Sequence, residues 1–225
     1  MIDALRKFSS PSIANAVETF NVRPRHHGFM SSEIRCLFPE LGPLVGYAAT
    51  AIIRAEPQPA QGHRASTFGW WDYVLSIPAP RVIVVHDLDD PRGQGAQWGE
   101  VQANIHKALG CAGVVTDGSV RDLDEVRALG FQFAAAHVSV SHAWVHMVDF
   151  GLPVKLGGLW VNPGDLIHAD QHGVLTVPAD LVPKLPEAVA KVEADERTII
   201  GLCQSRDFSA DRLRELYKQI RPGTY

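Results

Sequence analysis

The residues best suited to chemistry lie in one stretch, from Trp98 to Asp122, which reads WGEVQANIHKALGCAGVVTDGSVRD. Within it, twenty residues separate Glu100 from the pair Arg121-Asp122. Asp122 offers an oxygen ligand for a hard divalent cation, and the planar Arg121 side chain can hold a carboxylate or keto oxygen. These residue types suit metal-assisted work on a small carboxylate. From spacing alone, an exposed salt bridge on a loop is the more ordinary interpretation.

A helix and a strand are needed to position these groups. Glu100 suits the positive end of a helix dipole, and apolar residues recur on one helical face as far as a stop at Gly110. Residues 112–115 are small or β-branched, which predicts a strand that is covered on both faces. The sequence predicts a turn at residues 117–119 that delivers the Arg-Asp pair beyond the carboxyl end of this strand, where ligands gather in α/β sheets.

The helix start and the Arg-Asp pair are therefore expected to lie side by side. In that arrangement the free backbone amides of Val101 and Gln102 form a cradle for an anion. Glu100 is placed to hold a metal-bound water.

Three motifs in combination resemble a known family. They are WGE at 98–100, GCAGVVTDGSVRD at 110–122 and PVKLGGLWVNPGDLIHADQHGVLTVP at 153–178. Together they resemble the family named after the regulator of ribonuclease E activity (RraA), over about residues 45–201. That family includes class II aldolases that cleave 4-hydroxy-4-methyl-2-oxoglutarate and 4-carboxy-4-hydroxy-2-oxoadipate to pyruvate. Their motif is an acidic residue, twenty residues and then Arg-Asp; here Glu100 stands where Asp is frequent.

The resemblance implies a single-domain α/β fold of the swivelling β/β/α type, an α-β-β-α sandwich. It implies a homotrimer or homohexamer with sites between subunits, acting on a small 2-oxo acid. The reaction expected is retro-aldol cleavage of a 4-hydroxy-2-oxo acid, with oxaloacetate decarboxylation as a side activity or the main one. The rival from another class is a non-catalytic regulatory protein that binds a ribonuclease or another protein.

The resemblance also assigns roles to residues. Asp122 is the expected ligand of Mg²⁺ or Mn²⁺, and Arg121 is expected to hold substrate with Gly99 and the amides of Val101 and Gln102. Arg121, Glu100 and Glu196 are the expected catalytic residues. A Glu on the long C-terminal helix reaches the site of the neighbouring subunit in the aldolases; Glu196 matches best, with Glu193 the alternative. The base for the 4-hydroxyl proton is expected to be a metal-bound water polarised through Glu100 and Glu196.

Composition supports an ordinary globular chain. The 225 residues are 46% hydrophobic and 20% charged, with a formal net charge of −4, which gives no electrostatic footprint for nucleic acid or a membrane surface. We expect one domain with an N-terminal helix and loop (1–42), a catalytic core (43–202) and a helical tail (203–225). No apolar run has the length of a signal core or membrane span, and the three cysteines are expected to be buried thiols in a reducing cytoplasm.

Several other polar residues have alternative interpretations. His63, Arg64, His142 and His146 are candidates for contact with the far end of a substrate, although surface positions are as ordinary for them. His142 and His146 have the spacing of a metal pair on a helix, but two further zinc ligands would be needed. Lys155 is more simply a solvated strand residue than a Schiff-base nucleophile. The doublet His26-His27 is expected in a solvated loop.

The remaining pattern predicts the surrounding elements. Helices are expected at 9–20, around 68–75, at 123–129, at 179–202 and in the tail from 209. Strands are expected at 45–55, 81–87, 131–138, 154–156, 159–161, 166–168 and 173–177. The loop at 87–97 is rich in glycine but lacks a GKS or GKT sequence and the third glycine of a dinucleotide fingerprint, which argues against a nucleotide cofactor.

Overall fold

The apolar, β-branched runs form a sheet, with helices on its outside. The computed structural model describes residues 2–60 and 64–220. The strands are β1 (Arg35–Cys36), β2 (Leu44–Arg54), β3 (Arg81–Asp87), β4 (Ala96–Trp98), β5 (Cys111–Val120), β6 (Gln132–Val138), β7 (His146–Phe150), β8 (Val154–Leu156), β9 (Leu159–Val161), β10 (Leu166–Asp170) and β11 (Gly173–Val177). The helices are α1 (Ser10–Glu18), α2 (Thr67–Ser76), α3 (Glu100–Ala108), α4 (Leu123–Leu129), α5 (Leu185–Gln204) and α6 (Ala210–Ile220).

Among the described residues, nine strands form one sheet with a parallel centre. Its main path runs β1-β6-β5-β3-β2-β10-β11, with β4 paired to β5 and β7 to β2. β2, β3, β5 and β6 are parallel neighbours, and β10 joins β2 antiparallel. Just before β1, Phe29 bridges Leu175 on β11, and the Met30 amide donates to the Val174 carbonyl at 2.9 Å. The sheet is therefore nearly closed, and β8 and β9 form a separate hairpin.

Alternate residues of the central strands enter different cores, as the pleat of a strand requires. On β3, Ile83 and Val85 face the core beneath α2, α3 and α4, whereas Val82 and Val84 face the core that the β8-β9 hairpin covers. A third core lies between α1, α5 and the β10-β11 hairpin. Burial on both faces explains why these strands are almost continuously apolar. The expected α/β sandwich is confirmed.

A buried polar cluster fixes the N-terminal segment to β10. Ser10 Oγ donates to His168 Nδ1 at 2.9 Å, and His168 Nε2 donates to the Leu5 carbonyl at 3.2 Å. The Ser10 amide donates to Asp170 at 2.8 Å. Desolvation lowers the pKa of His168, so its ring is neutral. Because Ser10 and His168 are buried, the cluster is structural rather than a nucleophilic site.

Most predicted elements are confirmed, usually to within a few residues. The strand at 81–87 and the strands at 154–156, 159–161 and 173–177 have the predicted bounds. Lys155 is exposed on β8, as expected for a solvated strand residue. The prediction of three buried thiols is confirmed for Cys111 only, because Cys36 is half-buried and Cys203 lies exposed near the end of α5.

Three predicted details are wrong. Residues 117–119 do not turn the chain, because β5 continues to Val120 and its end pairs with both β4 and β6 through an irregular register. The helix expected at 179–202 is broken: residues 179–181 form a 3₁₀ turn, and α5 begins only at Leu185, with Pro186 in its first turn. His142 and His146 do not share a helix, because His142 lies in a loop and His146 begins β7.

None of the described helices combines the length and the apolar character that a membrane crossing needs.

Candidate active site

The end of β5 and the start of α3 meet, as the twenty-residue spacing predicted. Asp122 Oδ2 accepts the backbone N–H of Glu100 at 2.9 Å, and the Arg121 amide donates to the Trp98 carbonyl at 2.8 Å. Asp122 has a φ of 54°, a left-handed conformation that Asp tolerates better than most residues. The Asp122 carboxylate therefore satisfies one of the free amides at the start of α3 from a neighbouring element.

Gly99 makes this close approach possible. It is the N-cap of α3 and has no side chain to cap the helix. A Cβ atom at this position would overlap the Asp122 carboxylate and lie 3.0 Å from Arg121 Cγ. Any larger residue would push Asp122 and Arg121 away from the helix start. Gly99 lines the pocket beside the Arg-Asp pair, and its role in substrate binding stays a prediction.

The Arg-Asp pair faces an open pocket of about 300 Å³. Arg121 Nε lies 3.6 Å from Asp122 Oδ2, and the two side chains are 37% and 35% exposed. At this exposure the ion pair itself contributes little to stability. Both groups are accessible to a ligand. The pocket is lined by Ala96, Gln97, Gly99, Val101, Gln102, Arg121, Asp122, His142 and Val145.

The start of α3 supplies two further donors to this pocket. The first hydrogen bond within the helix runs from the Ala103 amide to the Gly99 carbonyl at 2.9 Å, and Asp122 uses the amide of Glu100. The amides of Val101 and Gln102 have no intrahelical acceptor at this position. They lie at the positive end of the helix dipole, which favours an anion.

The two glutamates lie differently from Arg121 and Asp122. The Glu100 side chain is exposed at the start of α3 and is not among the residues that line the pocket. Glu196 lies on α5, accepts a hydrogen bond from Asn15 on α1 at 3.4 Å, and borders a different cavity. Within one chain, therefore, Glu196 is not brought to the Arg-Asp pair. Glu193 is also held at α1, by Ser12 at 3.4 Å.

The predicted distal-contact residues separate into two groups. His142 lines the pocket of the Arg-Asp pair, whereas Arg64 and His146 line a second cavity beside it. His142 and His146 each place Nδ1 on a nearby backbone carbonyl, at 2.7 and 2.9 Å. His63 lies outside the described residues.

The second cavity contains residues that the sequence did not single out. It is bordered by Trp70 and Trp71 of α2, by Trp98 of β4 and by His106 of α3. Trp70 Nε1 donates to His106 Nε2 at 2.8 Å, and His106 Nδ1 donates to the Gln102 carbonyl at 2.8 Å. Burial lowers the pKa of His106 to about 4, so the ring is neutral. The doublet Trp70-Trp71 is the signal in the sequence, but on its own it is equally typical of an ordinary apolar helix.

A buried carboxylate network holds the loop that leads to the site. Asp117 accepts hydrogen bonds from His86 Nδ1 at 2.7 Å and from the Asp87 amide at 2.8 Å, and Arg92 Nε lies 3.3 Å away. Asp87 accepts the amides of Asp89 and Gly93 at 3.0 and 2.9 Å. Desolvation raises the pKa of Asp87 despite these hydrogen bonds.

The oxygen donors beside α3 fit a hard, water-rich cation better than zinc. No hydrogen bond between described residues uses Asp122 Oδ1, so this oxygen is available to a ligand. The described residues contain no group of three or more His, Cys, Asp or Glu that could hold a metal. Zinc sites take three or four such ligands, whereas Mg²⁺ keeps several waters and needs only one or two carboxylates.

Comparisons with known proteins agree with this architecture. The Aldolase/RraA (RraA-like) family profile matches residues 11–176. An uncharacterised protein of Methanocaldococcus jannaschii is 29% identical over 56% of this chain and 61% of its own length. A Halalkalibacterium halodurans protein named "Putative 4-hydroxy-4-methyl-2-oxoglutarate aldolase" is 30% identical over 44% of this chain and 47% of its own. The chain thus spans less than two thirds of the length of these relatives.

A solved structure shows the same fold. Streptomyces coelicolor RraAS2, described as an unusual member of the RNase ES inhibitor RraA protein family, superposes with a TM-score of 0.68 at 22% identity, over 88% of this chain and 94% of that one. The match of the family profile to most of the chain and the shared fold lead to one conclusion: the chain belongs to the RraA-like (Aldolase/RraA) family.

Proposed function

We propose that this protein is a divalent-metal-dependent lyase that cleaves a 4-hydroxy-2-oxo acid to pyruvate. The observation that carries the proposal is the contact of Asp122 with the start of α3, which sets an accessible carboxylate, Arg121 and helix amides around one pocket. The aldolase names of relatives at about 30% identity support the reaction class.

The pyruvyl end of the substrate fits the cationic side of this pocket. Arg121 is exposed enough to pair with the carboxylate, and the amides of Val101 and Gln102 can donate hydrogen bonds to the same anion. Gly99 leaves room for the Asp122 carboxylate and the Arg121 side chain at the start of α3. These contacts fix the bond between C3 and C4 in one orientation relative to Asp122.

Cleavage leaves an electron pair on C3 and negative charge on the keto oxygen. Asp122 would hold Mg²⁺ or Mn²⁺, and that ion when bound supplies Lewis-acid stabilisation of this charge. Arg121 stabilises the same charge through its guanidinium. The 4-hydroxyl must lose its proton, and Glu100 is the exposed carboxylate at this end of α3 that can orient a water for this purpose. Oxaloacetate decarboxylation leaves the same enolate, so we propose it as a second activity.

We propose that a second copy of the chain completes the site. In one chain Glu196 lies beside α1 and borders another cavity, so it can reach the Arg-Asp pair only from a neighbouring subunit. Exposed apolar residues near the pocket support such a contact: Val101 and Trp144 are 69% and 52% exposed. Light scattering under assay conditions should show a trimer or hexamer, and an active monomer would contradict this part of the proposal.

The same exposed apolar residues also fit the alternative function, a regulatory protein that binds a ribonuclease or another protein partner. Such a surface needs neither a metal nor Arg121. The two functions are therefore separated by an assay of turnover rather than by binding.

A substrate panel tests the proposed function. 4-Hydroxy-2-oxo acids and oxaloacetate are supplied with Mg²⁺ or Mn²⁺, and pyruvate is measured with lactate dehydrogenase. We expect turnover of at least one substrate, its loss on addition of a chelator, and a reduction for every active substrate in Arg121→Ala. Absence of pyruvate from the whole panel with metal bound would reject the lyase and favour the regulatory protein. Full activity after chelation would reject the metal.

A further inference from the structure

A second cavity, of about 160 Å³, lies directly beside the pocket of the Arg-Asp pair. Gln97, Gln102 and Val145 border both cavities. The far end of a molecule whose carboxylate is held by Arg121 and the start of α3 can therefore extend into this adjoining cavity.

Three tryptophans border the second cavity, together with polar residues that include Thr67, Gln97 and Gln102. Trp70 and Trp98 are 3% and 1% exposed, and Trp71 and Met147 are half-buried beside them. Trp70 is fixed by its hydrogen bond to His106, which is fixed in turn by the Gln102 carbonyl. His106 carries no charge, because burial keeps its pKa low. We name this space the tryptophan pocket, defined by Trp70, Trp71, Trp98, His106 and Met147.

We propose that the tryptophan pocket binds an aromatic ring carried on C4 of the 4-hydroxy-2-oxo acid. The inference rests on the proposed function and names its substrate class. A cavity of roughly 150 Å³ is large enough for a benzene-sized group. Tryptophan walls and a methionine sulfur favour the face or edge of such a ring.

The charged residues at the tryptophan pocket do not favour a carboxylate in its interior. Arg64 borders the cavity but is exposed, so its charge is solvated at the mouth. His146 is nearly buried and uses Nδ1 on the Trp144 carbonyl. We therefore place a ring, rather than a charged group, against the tryptophans of this cavity.

The reaction on such a substrate balances without an added oxidant or reductant. In 4-hydroxy-2-oxo-4-phenylbutanoate the C3–C4 bond breaks and its electron pair stays on C3. The 4-hydroxyl proton passes to the base, the C4–O bond becomes a carbonyl, and C3 takes up a proton. The products are pyruvate and benzaldehyde.

The test compares two substrates that differ only in the arm on C4. These are 4-hydroxy-2-oxo-4-phenylbutanoate and 4-hydroxy-2-oxoglutarate, each with Mg²⁺ and with pyruvate release as the readout. We expect a higher kcat/KM for the phenyl substrate. Trp71→Ala should lower kcat/KM for the phenyl substrate by about tenfold or more and change that for the glutarate by about twofold at most, since only the ring uses this wall.

Two further variants separate the pocket from the fold. Thr67→Phe places a ring at the border of the cavity without removing a buried residue, and it should slow the phenyl substrate selectively. Leu75→Ala changes a 50% exposed residue of the same helix α2 that does not border the cavity, and it should leave both substrates unchanged. Circular dichroism of each variant checks that α2 remains folded.

The outcomes distinguish the inference from the function on which it rests. Pyruvate from 4-hydroxy-2-oxoglutarate alone, or equal losses for both substrates in Trp71→Ala and Thr67→Phe, would overturn the tryptophan pocket as a ring site and leave the lyase standing. No pyruvate from either substrate would overturn the lyase and this inference together. Selective loss of the phenyl substrate in both variants supports both.

Discussion

Asp117 on β5 and Asp122, which lies two residues beyond the end of that strand, have opposite environments. The Asp117 side chain is 2% exposed and accepts hydrogen bonds from His86 and the Asp87 amide, with Arg92 also in ion-pair distance. The Asp122 side chain is 35% exposed, accepts one amide and keeps one oxygen outside the hydrogen bonds of the described residues. A buried carboxylate whose oxygens are all hydrogen-bonded, such as Asp117, can hold a loop in place. An accessible carboxylate with one oxygen that accepts no hydrogen bond, such as Asp122, can bind a ligand.

This difference shows that a cluster of acidic residues is not by itself a ligand-binding site. Asp87 is the last residue of β3, and Asp117 lies in the second half of the neighbouring parallel strand β5, close to the sheet edge where ligands commonly bind. Their carboxylate oxygens nevertheless already accept hydrogen bonds. Asp87 accepts the amides of Asp89 and Gly93, and Asp117 accepts from His86. We therefore assign this network to positioning the loop before β4 and assign ligand binding to the Arg-Asp pair.

A matched pair of substitutions, Asp122→Asn and Asp117→Asn, tests the contrast between the two aspartates most directly. Asp122→Asn keeps an acceptor for the Glu100 amide and a residue that tolerates positive φ, but it removes the charge of the proposed metal ligand. We expect pyruvate release to be abolished with the free energy of unfolding changed by about 1 kcal/mol at most. Steady-state kinetics and urea unfolding measure the two effects.

Asp117→Asn is the control and should show the reverse pattern. It weakens charged hydrogen bonds to buried or half-buried partners, so a loss of stability of about 2 kcal/mol or more is expected. Its activity should fall only as far as the loop shifts. If Asp117→Asn removed metal binding and Asp122→Asn did not, the assignment of the two regions would be reversed.

A smaller effect is expected at Glu100, which supplies its backbone to the Asp122 contact and leaves its side chain exposed. If the Glu100 carboxylate acts through a water, Glu100→Gln should lose about 10–100-fold in activity or metal affinity. The backbone hydrogen bond to Asp122 is unchanged in this variant. Titration with Mg²⁺ and Mn²⁺ under steady-state conditions gives both quantities, and an unaltered titration would leave Glu100 with a purely structural role at the helix start.

The parts of the candidate site that depend on local spacing could be predicted from the sequence. The helix start at Glu100, the strand that precedes Arg121 and the contact between them follow from apolar periodicity and from the geometry of a β-α unit. The need for glycine at position 99 is explained only by the structure, because any side chain there would collide with Asp122.

Other features depend on contacts that are distant along the chain. The tryptophan pocket joins α2, β4 and α3, and the Trp70–His106 hydrogen bond spans 36 residues. The turn predicted at 117–119 was wrong because β4 and β6 both pair with the end of β5 and keep it extended. Local turn propensity at Asp-Gly-Ser is weaker than these ladder hydrogen bonds.

The smallest expected effect concerns His106. Like Asp117 it is buried and has its hydrogen-bonding atoms in use, but it borders the cavity beside the Arg-Asp pair. Burial in the folded state lowers its pKa to about 4, from an ordinary value of 6.5. The unfolded chain therefore takes up a proton at a higher pH than the folded chain does. The stability that the neutral ring contributes is complete above about pH 6.5 and is lost as the pH falls toward 4.

His106→Gln isolates this contribution, since a glutamine can still accept from Trp70 but does not titrate. The difference in free energy of unfolding between the unmodified protein and His106→Gln should shrink by up to about 3 kcal/mol between pH 7.5 and pH 4.5, as the shift in pKa requires. His168, whose pKa burial also lowers, is present in both proteins and cancels. His26→Gln removes an exposed loop histidine and is the matched control, expected to run parallel to the unmodified protein. Urea unfolding at a series of pH values makes the comparison, and parallel curves for His106→Gln as well would show that the His106 ring is not held neutral by the fold.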